Sequence, residues 1–509
     1  MRVDPPGFHP LGNGEGTHLT PMTEAILVIF LSCGLLLPCL WHERVQAGDL
    51  SSHVYNAWLA IQIKQGAVDG LTIVPVRTNV LSDWLLEAMV RIGGTVVAER
   101  IVVGAEALLF FWGAFYLGVV ATGRRPWITA PSLAMLTYGL MLHMGFLNYY
   151  VSAGLCLWIV AVLWKPEGWT PWLIALPLAV LAALSHVLPL AWAAAVLSYN
   201  WLYRRLAPPW RIWLLPASVV LLLGIRTVLM LNFQTLWSVQ QFASLDGIAG
   251  LLAVEQVWLY GPKYLLISIA LVILWVGLFL GRVDRGSMLE DPVVHLWLLH
   301  LAAFVILPAI IWFPAYEQQL GYVSQRISLL TGVFFCLMTG AARHGRGITR
   351  ISVGVGVVFF TFLYMDSGAF GKTEDQITQL LRQLPPGQSV AASIVDADGR
   401  WNALAHTVDR ACIGHCFSYS NFEPATTHFR IRLAGSNRVA APNMDIVREI
   451  EEGKHIVLSS EAPMYTVCDC ANSEHRFCLR RLSAGEQACR VTVSVAPQLW
   501  SPGFLNVLR

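Results

Sequence analysis

The sequence contains little charge: only 13% of its 509 residues are charged, whereas 56% are hydrophobic. Soluble domains carry about a quarter charged residues, so this composition excludes an ordinary soluble protein. The net charge is only +2 and no long basic run occurs, so we expect no nucleic-acid partner. The chain also lacks an Asn-x-Ser/Thr sequon, which favours a bacterial inner membrane over the endoplasmic reticulum.

The first 22 residues differ from the rest of the chain because they are polar and rich in Gly and Pro. They lack the basic start and the small-residue cleavage site of a removable signal peptide. We therefore predict that residues 1–22 form a disordered cytoplasmic segment. An uncleaved membrane helix is predicted to follow it, within the apolar run 25–41.

Further apolar runs predict a polytopic α-helical membrane domain over residues 23–366, with about eleven transmembrane helices. Several runs are close to the lower length limit for a membrane-spanning helix, which is about 17 residues. After the first run, they lie at 97–121, 127–144, 149–164, 171–186, 187–203, 212–231, 264–281, 293–313, 327–342 and 350–366.

Arginines in the short loops indicate which way the helices face. If the N-terminus is cytoplasmic, every short Arg-rich loop falls on the cytoplasmic side, as the positive-inside rule requires. We therefore predict a multi-pass inner-membrane protein whose long loop 42–96 and C-terminal segment 367–509 lie in the periplasm. The arginines that indicate this topology are Arg124, Arg125, Arg204, Arg205, Arg211, Arg282, Arg285, Arg343, Arg346 and Arg350.

Residues 367–509, called the tail below, are predicted to form a periplasmic α/β domain of about 140 residues. The segment 377–384 (ITQLLRQL) has the pattern of an amphipathic helix. Three further segments have the pattern of strands, namely 389–396 (SVAASIVD), 455–460 (HIVLSS) and 491–496 (VTVSVA).

Six of the ten cysteines lie in the tail, and an even number on the periplasmic side favours disulfide bonds. The alternative is a metal site, because CIGHC places His415 between two cysteines, although this spacing differs from the usual paired zinc ligands. We predict disulfides without assigning their pairing, assign no metal ligand, and leave a divalent metal cofactor open. The six are Cys412, Cys416, Cys468, Cys470, Cys478 and Cys489.

Residues 41–60, which follow the first apolar run, are unusually polar for this chain. They include Asp49, His53 and Tyr55, and we predict that a helix begins at Leu50. Two interpretations of Asp49 remain open. It caps the amide groups at the start of this helix, or it takes part in chemistry at the membrane surface.

Ionisable groups inside membrane segments are costly and therefore mark candidate functional positions. The predicted topology places most of them at the depth of Asp49, where a carboxylate can take a proton from an acceptor hydroxyl and a cation can stabilise a lipid phosphate. Helix capping, snorkelling and contact with lipid headgroups are the alternative roles. The candidates are Asp49 as catalytic base; His53, Tyr55, His143, Asn148 and His186 for substrate binding; and Arg326, with Arg226 or Lys263, for phosphate binding.

Four features together resemble the GT-C superfamily of membrane glycosyltransferases, which use polyprenyl-phosphate sugars. The first is Asp49 early in a long outer loop, followed by a helix with His53 and Tyr55. The second is TNVLSDWLLEAMVRIGGTVVAERI (78–101), which is similar to the second amphipathic segment of that loop. The third is the outer motif GYVSQRISLL (321–330), and the fourth is an α/β domain after about eleven helices.

The resemblance implies that Asp49 is the catalytic base and that Arg326 contacts the lipid phosphate. The chain departs from the family because Leu50, and not a second acidic residue, follows Asp49; Glu43 and Asp83 are the nearby substitutes. We therefore expect an inverting transferase that moves a sugar from a polyprenyl-phosphate donor, within the membrane lipid, to a periplasmic or lipid-linked acceptor. The alternative is a non-enzymatic membrane protein, such as a glycan or lipid transporter or an assembly factor, whose tail binds a ligand or partner.

Overall fold

A computed structural model of the protein is mostly helical. It describes residues 20–237, 245–281, 288–313, 319–340, 346–394, 400–426, 428–435, 437–470 and 476–489. Most of the predicted disordered segment 1–22 and the predicted strand 491–496 lie outside these residues.

Long apolar helices make up the first three quarters of the chain. Six described helices are long and apolar enough to cross a membrane, and three shorter ones are also apolar, as expected of a multi-pass membrane protein. The total of about eleven spans stays a prediction. The helices of this region are α1 (Pro21–Leu40), α2 (Leu50–Lys64), α3 (Leu81–Thr122), α4 (Ala130–Thr137), α5 (Leu140–His143), α6 (Leu147–Val162), α7 (Thr170–Ser185), α8 (Val187–Arg205), α9 (Pro208–Asn232), α10 (Leu245–Leu251), α11 (Lys263–Leu280), α12 (Pro292–Ile306), α13 (Val323–Gly340) and α14 (Arg346–Leu381).

Several helices begin where the sequence supplies a capping side chain. The hydroxyl oxygen of Thr20 accepts a hydrogen bond from the amide of Thr23 at the start of α1. The Asp291 carboxylate does the same for the amide of Val293 at the start of α12. Such caps satisfy amide groups that have no partner inside the helix.

The predicted third span, residues 127–144, is broken into a 3₁₀ turn (Trp127–Thr129) and the short helices α4 and α5. The break lies at Gly139, where a Cβ atom would come within 3.0 Å of the Gln256 carbonyl oxygen. The close approach of another backbone therefore requires glycine here, and an uninterrupted helix was the wrong expectation for this segment.

Two helices extend beyond their predicted limits. Helix α3 begins within the predicted outer loop and has 42 residues, with a kink at Gly94, whose φ of 79° favours glycine. Helix α14 continues through the predicted 366/367 boundary to Leu381, so most of the predicted separate helix 377–384 is its C-terminal end. The last apolar helix therefore continues into the tail without a break.

The tail contains a four-stranded sheet. Its strands lie in the order β6 (Phe417–Ser418), β5 (Ser389–Ser393), β8 (Met464–Asp469) and β9 (Phe477–Leu482). β5 is parallel to β6 and β8, whereas β8 and β9 form an antiparallel hairpin in which Cys468 faces Cys478. The tail elements are β5 (Ser389–Ser393), α15 (Thr407–Ala411), β6 (Phe417–Ser418), α16 (Phe422–Ala425), β7 (Ile431–Leu433), α17 (Met444–Glu451), β8 (Met464–Asp469) and β9 (Phe477–Leu482). Three short strands of the membrane region form a separate antiparallel sheet: β2 (Gln234–Leu236), β3 (Ile310–Trp312) and β4 (Gln319–Leu320).

The outer loop between α1 and α3 packs into the tail. Its short strand β1 (Leu71–Ile73) pairs antiparallel with β7, and Leu71 lies opposite Leu433. The side chains of Tyr55, Leu59 and Leu71 belong to the same buried apolar cluster as tail residues such as Val408 and Val467. Burial of this apolar surface holds the loop and the tail together.

Three disulfide bonds link all six tail cysteines, so the prediction of disulfides is confirmed. The pairs are Cys412–Cys416, Cys468–Cys489 and Cys470–Cys478. Within the described part of the chain, no group of three or more His, Cys, Asp or Glu residues is arranged to hold a metal ion.

Candidate functional site

Asp49 lies in a tight turn at the junction of the membrane region and the tail. Its backbone amide donates a hydrogen bond to the Met144 carbonyl oxygen at 3.2 Å. A Cβ atom at Gly48 would lie 2.7 Å from the Met144 oxygen and 3.0 Å from the Trp401 ring, so only glycine fits there. The Asp49 side chain makes no capping hydrogen bond to helix α2. The geometry therefore does not support the helix-cap interpretation.

The Asp49 carboxylate faces a histidine from the tail. Asp49 Oδ1 lies 3.4 Å from Nε2 of His406, and Nδ1 of the same ring lies 3.1 Å from Asp409 Oδ2. The Ser418 hydroxyl donates to the other Asp409 oxygen at 2.5 Å. The Asp49 side chain is 34% exposed and that of His406 is 15% exposed, so solvent reaches the carboxylate more easily than the imidazole.

His406 favours its protonated form. Burial alone would lower its pKa, but the hydrogen bonds and negative charges of Asp409 and Asp49 outweigh burial and hold the pKa well above its ordinary value. The contacts with Asp49 and Asp409 therefore favour the imidazolium form of the ring.

A buried ion cluster fixes α15, the helix that begins directly after His406. Arg410, next to Asp409 on α15, donates to both oxygens of Glu374 at 2.7 and 2.6 Å and to Glu99 Oε2 at 2.8 Å. It also donates to the Val45 carbonyl oxygen at 2.9 Å. Because Glu374 belongs to α14 and Glu99 to α3, one tail arginine joins three parts of the structure beside Asp49.

Arg326, in the first turn of α13, is a buried cation that forms no ion pair with any of the residues that the structure describes. Its guanidinium lies over the rings of Phe146 and Tyr149, at 5.2 and 4.8 Å from their centroids. No carboxylate of the described residues lies within 4.0 Å of it, and its Nε has no hydrogen-bond partner there. Glu317, a nearby acidic residue in sequence, falls outside those residues.

His186 contacts this guanidinium but does not balance its charge. Its Nε2 lies 3.2 Å from Arg326 Nη1, and its Nδ1 accepts a hydrogen bond from the Leu188 amide at 3.2 Å. A neutral imidazole has one acceptor nitrogen, so it cannot accept from both groups. His186 is therefore not an anionic partner, and no carboxylate of the described residues balances the charge of Arg326.

The turn between α5 and α6 connects Asp49 to Arg326. Gly145 lies directly against Asp49, where a Cβ atom would come within 2.4 Å of the Asp49 amide nitrogen. The next residue, Phe146, packs against Arg326 and also against Tyr322, with ring centroids 5.2 Å apart. The three-residue turn 144–146 thus packs against the Asp49 backbone through Gly145 and against the Arg326 guanidinium through Phe146.

His53 and Asn148, two of the predicted substrate-binding residues, both contact Asp83. His53 Nδ1 lies 2.7 Å from Asp83 Oδ1, and Asn148 Nδ2 donates to Asp83 Oδ2 at 3.0 Å. The Asn148 oxygen accepts from the Ser82 amide at 2.9 Å, and the Ser82 hydroxyl donates to Glu106. This cluster joins α2, α3 and α6 next to the Asp49 turn.

Tyr55 and His143 are fully enclosed by protein. The Tyr55 hydroxyl oxygen accepts a hydrogen bond from the Ser418 amide of the tail at 3.1 Å, and its side chain is 0% exposed. His143 Nδ1 lies 3.0 Å from the Tyr260 hydroxyl. Both positions suit structural contacts, and the role of these two residues in substrate binding stays a prediction.

Arg226 and Lys263, the other predicted phosphate-binding residues, are not brought to Arg326. Arg226 lies over the Trp237 ring, with 4.8 Å to the centroid. Lys263 forms an ion pair with Asp366 at 2.6 Å, so its charge is already neutralised. These contacts separate both cations from the Phe146–Tyr149 environment of Arg326.

One solved structure has a fold similar to that of this chain. The crystal structure of ArnT from Cupriavidus metallidurans in the apo state is similar to this chain, with a TM-score of 0.50 and 12% sequence identity. The match covers 88% of this chain and 93% of the ArnT chain, whose fold is of the GT-C type.

The chain has a GT-C-like fold. The predicted resemblance to the GT-C superfamily is therefore confirmed at the level of the fold. At 12% identity, the likeness does not extend to the donor, the acceptor or the catalytic residues. No protein-family model matches the sequence, and no curated protein matches it significantly.

Within this GT-C-like fold, two site residues escaped sequence reasoning, His406 and Asp409. They lie in the tail, far from Asp49 in sequence, and no motif marks them as partners of the outer loop. The only local signal is their spacing of three residues, which brings their side chains together on one turn of α15. Their contact with Asp49 arises from docking of the tail.

Proposed function

We propose that this protein is a membrane glycosyltransferase that moves a sugar from a polyprenyl-phosphate donor to a periplasmic or lipid-linked acceptor. The observation that carries the proposal is the packing of Asp49 and Arg326 against the same turn, residues 144–146, within a GT-C-like fold. A carboxylate and a buried cation that pack on the same turn, the cation having no acidic partner among the described residues, suit a reaction that releases a phosphate.

Arg326 binds the donor phosphate in this proposal. A buried guanidinium is costly unless an anion balances it, and no described carboxylate does so. A phosphate offers oxygens in the geometry that the planar guanidinium recognises, and the faces of Phe146 and Tyr149 hold that plane. Arg226 and Lys263, with their own partners, are left out of the proposed clamp.

Asp49 acts as the general base. Its carboxylate takes the proton of the acceptor hydroxyl while the hydroxyl oxygen attacks the anomeric carbon of the sugar. The bond between that carbon and the phosphate oxygen breaks, and its electron pair leaves with the polyprenyl phosphate, whose charge Arg326 stabilises. Direct displacement by one base inverts the anomeric carbon. The proton then passes from Asp49 to water.

The membrane arrangement follows the predicted topology. With the N-terminus in the cytoplasm of a bacterial inner membrane, the tail and the Asp49 turn lie on the periplasmic side. A lipid-linked donor and an aqueous acceptor meet only at such a boundary.

The test is a transfer assay on the purified protein in lipid nanodiscs. A panel of polyprenyl-phosphate sugars is supplied with crude envelope glycan and lipid acceptors, and release of polyprenyl phosphate is measured. We expect turnover by the wild type and about a hundredfold loss of kcat in Arg326→Gln, because the departing phosphate loses its cation. Arg326→Lys, which keeps the charge but not the planar stacking, should retain intermediate activity.

Arg205→Gln is the matched control, because Arg205 also lies over an aromatic ring, that of Trp201 at 4.3 Å, but at the far end of helix α8. It should keep wild-type activity. Absence of turnover with every donor, or equal activity in Arg326→Gln and the wild type, would refute the proposed transfer. The non-enzymatic transporter or assembly role would then be the better reading.

A further inference from the structure

The tail contributes a charged side chain to the proposed base. His406 lies between Asp49 and Asp409, with its two ring nitrogens 3.4 and 3.1 Å from their carboxylate oxygens. No other described cationic side chain lies within 4.0 Å of the Asp49 carboxylate. The tail is therefore part of the Asp49 environment and is not a separate domain beside it.

We propose that His406 is a positioning residue for the transfer reaction, holding Asp49 so that one carboxylate oxygen faces the tail and the other faces the acceptor hydroxyl. This inference rests on the proposed function. It implies that the site is complete only when the tail is docked on the membrane region.

The position of His406 is itself determined by rigid contacts. On one side, Asp409 orients the ring and is held in turn by the Ser418 hydroxyl. On the other, Arg410 locks the same short helix to Glu374 and Glu99 by buried ion pairs. A side chain held in this way restricts the rotation of its partner at little further entropic cost.

A second tail residue packs on the Asp49 turn. Trp401 lies against Gly48, and its indole nitrogen donates to the Leu259 carbonyl oxygen at 3.0 Å. Arg400, its neighbour, forms an ion pair with Asp246 at 2.9 Å. The segment before His406 is thus also anchored to the membrane region. This second set of contacts, in addition to the Arg410 ion pairs, holds His406 next to Asp49.

The charge on the ring gives the positioning role a pH dependence. The described titratable groups that act on His406 are Asp49 at the start of α2, Asp409 on α15 and Glu451 on α17. All three are acidic and favour the imidazolium, and the balance of burial and these charges raises the pKa of His406. Positioning by the imidazolium is therefore complete below that pKa and is lost as the pH rises through it.

The experiment compares His406→Gln with the wild type in the full-length protein, using the transfer assay with the donor that supports turnover. We expect kcat to fall about tenfold, the scale of a coupling between contacting polar residues, with a smaller change in the KM for the donor. His415→Gln is the matched control, because His415 is a tail histidine whose Nε2 contacts the Leu384 carbonyl oxygen at 2.9 Å, away from Asp49. Its activity should be unchanged.

The pH profile distinguishes positioning from simple destabilisation. Wild-type kcat should decline on the alkaline side as His406 loses its proton, and His406→Gln should lack that decline. Asp409→Asn should shift the decline to lower pH, because one of the carboxylates that favour the imidazolium is gone. Thermal unfolding of each variant, followed by tryptophan fluorescence, verifies that the protein remains folded.

The outcomes separate the two proposals. If the wild type transfers no sugar, the proposed function fails. If the wild type is active but His406→Gln keeps its kcat and its alkaline decline, only the role of His406 is overturned. In the double variant Asp49→Asn/His406→Gln, we expect no loss beyond that of Asp49→Asn alone, and a fully additive loss would also contradict the positioning role.

Discussion

The outer loop contributes to two carboxylate–imidazole pairs whose surroundings differ. His53 pairs with Asp83 inside the membrane region at 2.7 Å, and Asp49 pairs with the tail residue His406 at 3.4 Å. The Asp83 side chain is 6% exposed and its second oxygen accepts from Asn148, whereas the Asp49 side chain is 34% exposed.

The two pairs differ in how accessible their carboxylates are to solvent. In both pairs burial opposes the charge on the imidazole, and in both the facing carboxylates overcome it and raise the histidine pKa. The Asp83 carboxylate, however, is satisfied on both oxygens and sealed. The Asp49 carboxylate, in contrast, is one-third exposed, so solvent can reach it. This difference supports the proposed role of Asp49 as the base and favours a structural role for the His53–Asp83 pair.

The largest expected effect is a loss of activity on replacing Asp49, and it tests the difference between the two carboxylate–imidazole pairs. Asp49→Asn should lower kcat by about 10²–10⁴-fold, because the amide cannot take the acceptor proton. Its free energy of unfolding should change by only about 0.5 kcal/mol, since the side chain is partly exposed and caps no helix. Transfer kinetics and thermal unfolding measure the two effects, and Asp445→Asn, on the exposed surface of α17, is the control.

The second expected effect is on stability. Asp83→Asn should lower the free energy of unfolding by about 3 kcal/mol, because it leaves the buried His53 imidazolium without its counterion. The molecules that remain folded should keep most of their transfer activity. A variant that is stable but inactive would reverse the assignment and make Asp83 the substitute for the missing second acidic residue of the loop.

The smallest expected effect comes from the disulfide that follows α15. Replacing Cys412 and Cys416 by Ser should cost about 2 kcal/mol, the value for so short a loop. It should also lower kcat severalfold, because α15 is less well held. The control replaces Cys470 and Cys478 in the β8–β9 hairpin, which should cost similar stability without loss of kcat. If the two double replacements lowered kcat equally, the idea that α15 in particular supports the site would be contradicted.

Much of the fold was predictable because it depends on local composition. The apolar runs predicted most of the long helices, since a segment that lies in lipid must satisfy its backbone internally and be apolar along its length. The break at Gly139 was not predictable, because it reflects the approach of the Gln256 backbone. The extent of α14 was also missed, because a change from apolar to polar composition does not end a helix.

The candidate site was predictable only in part. Asp49 and Arg326 stood out because charge is rare in this chain, and the fold brings them to one turn. Lys263 was a reasonable candidate by the same logic, but Asp366 neutralises it. Tyr55 lies on the predicted helix, yet that face packs into the tail. Spacing along one helix indicates which side chains share a face but not what that face meets.

The sequence by itself determined that the chain is a multi-pass membrane protein with a disulfide-bonded tail. Hydropathy and cysteine content are properties of the individual residues, so they can be read without knowing which residues are in contact. Only the tertiary structure decided that His406 meets Asp49, that Asp83 is enclosed and that Arg326 has no acidic partner among the described residues. These properties depend on contacts between segments distant in sequence, whose formation follows from the packing of the tail on the outer loop and not from any local pattern.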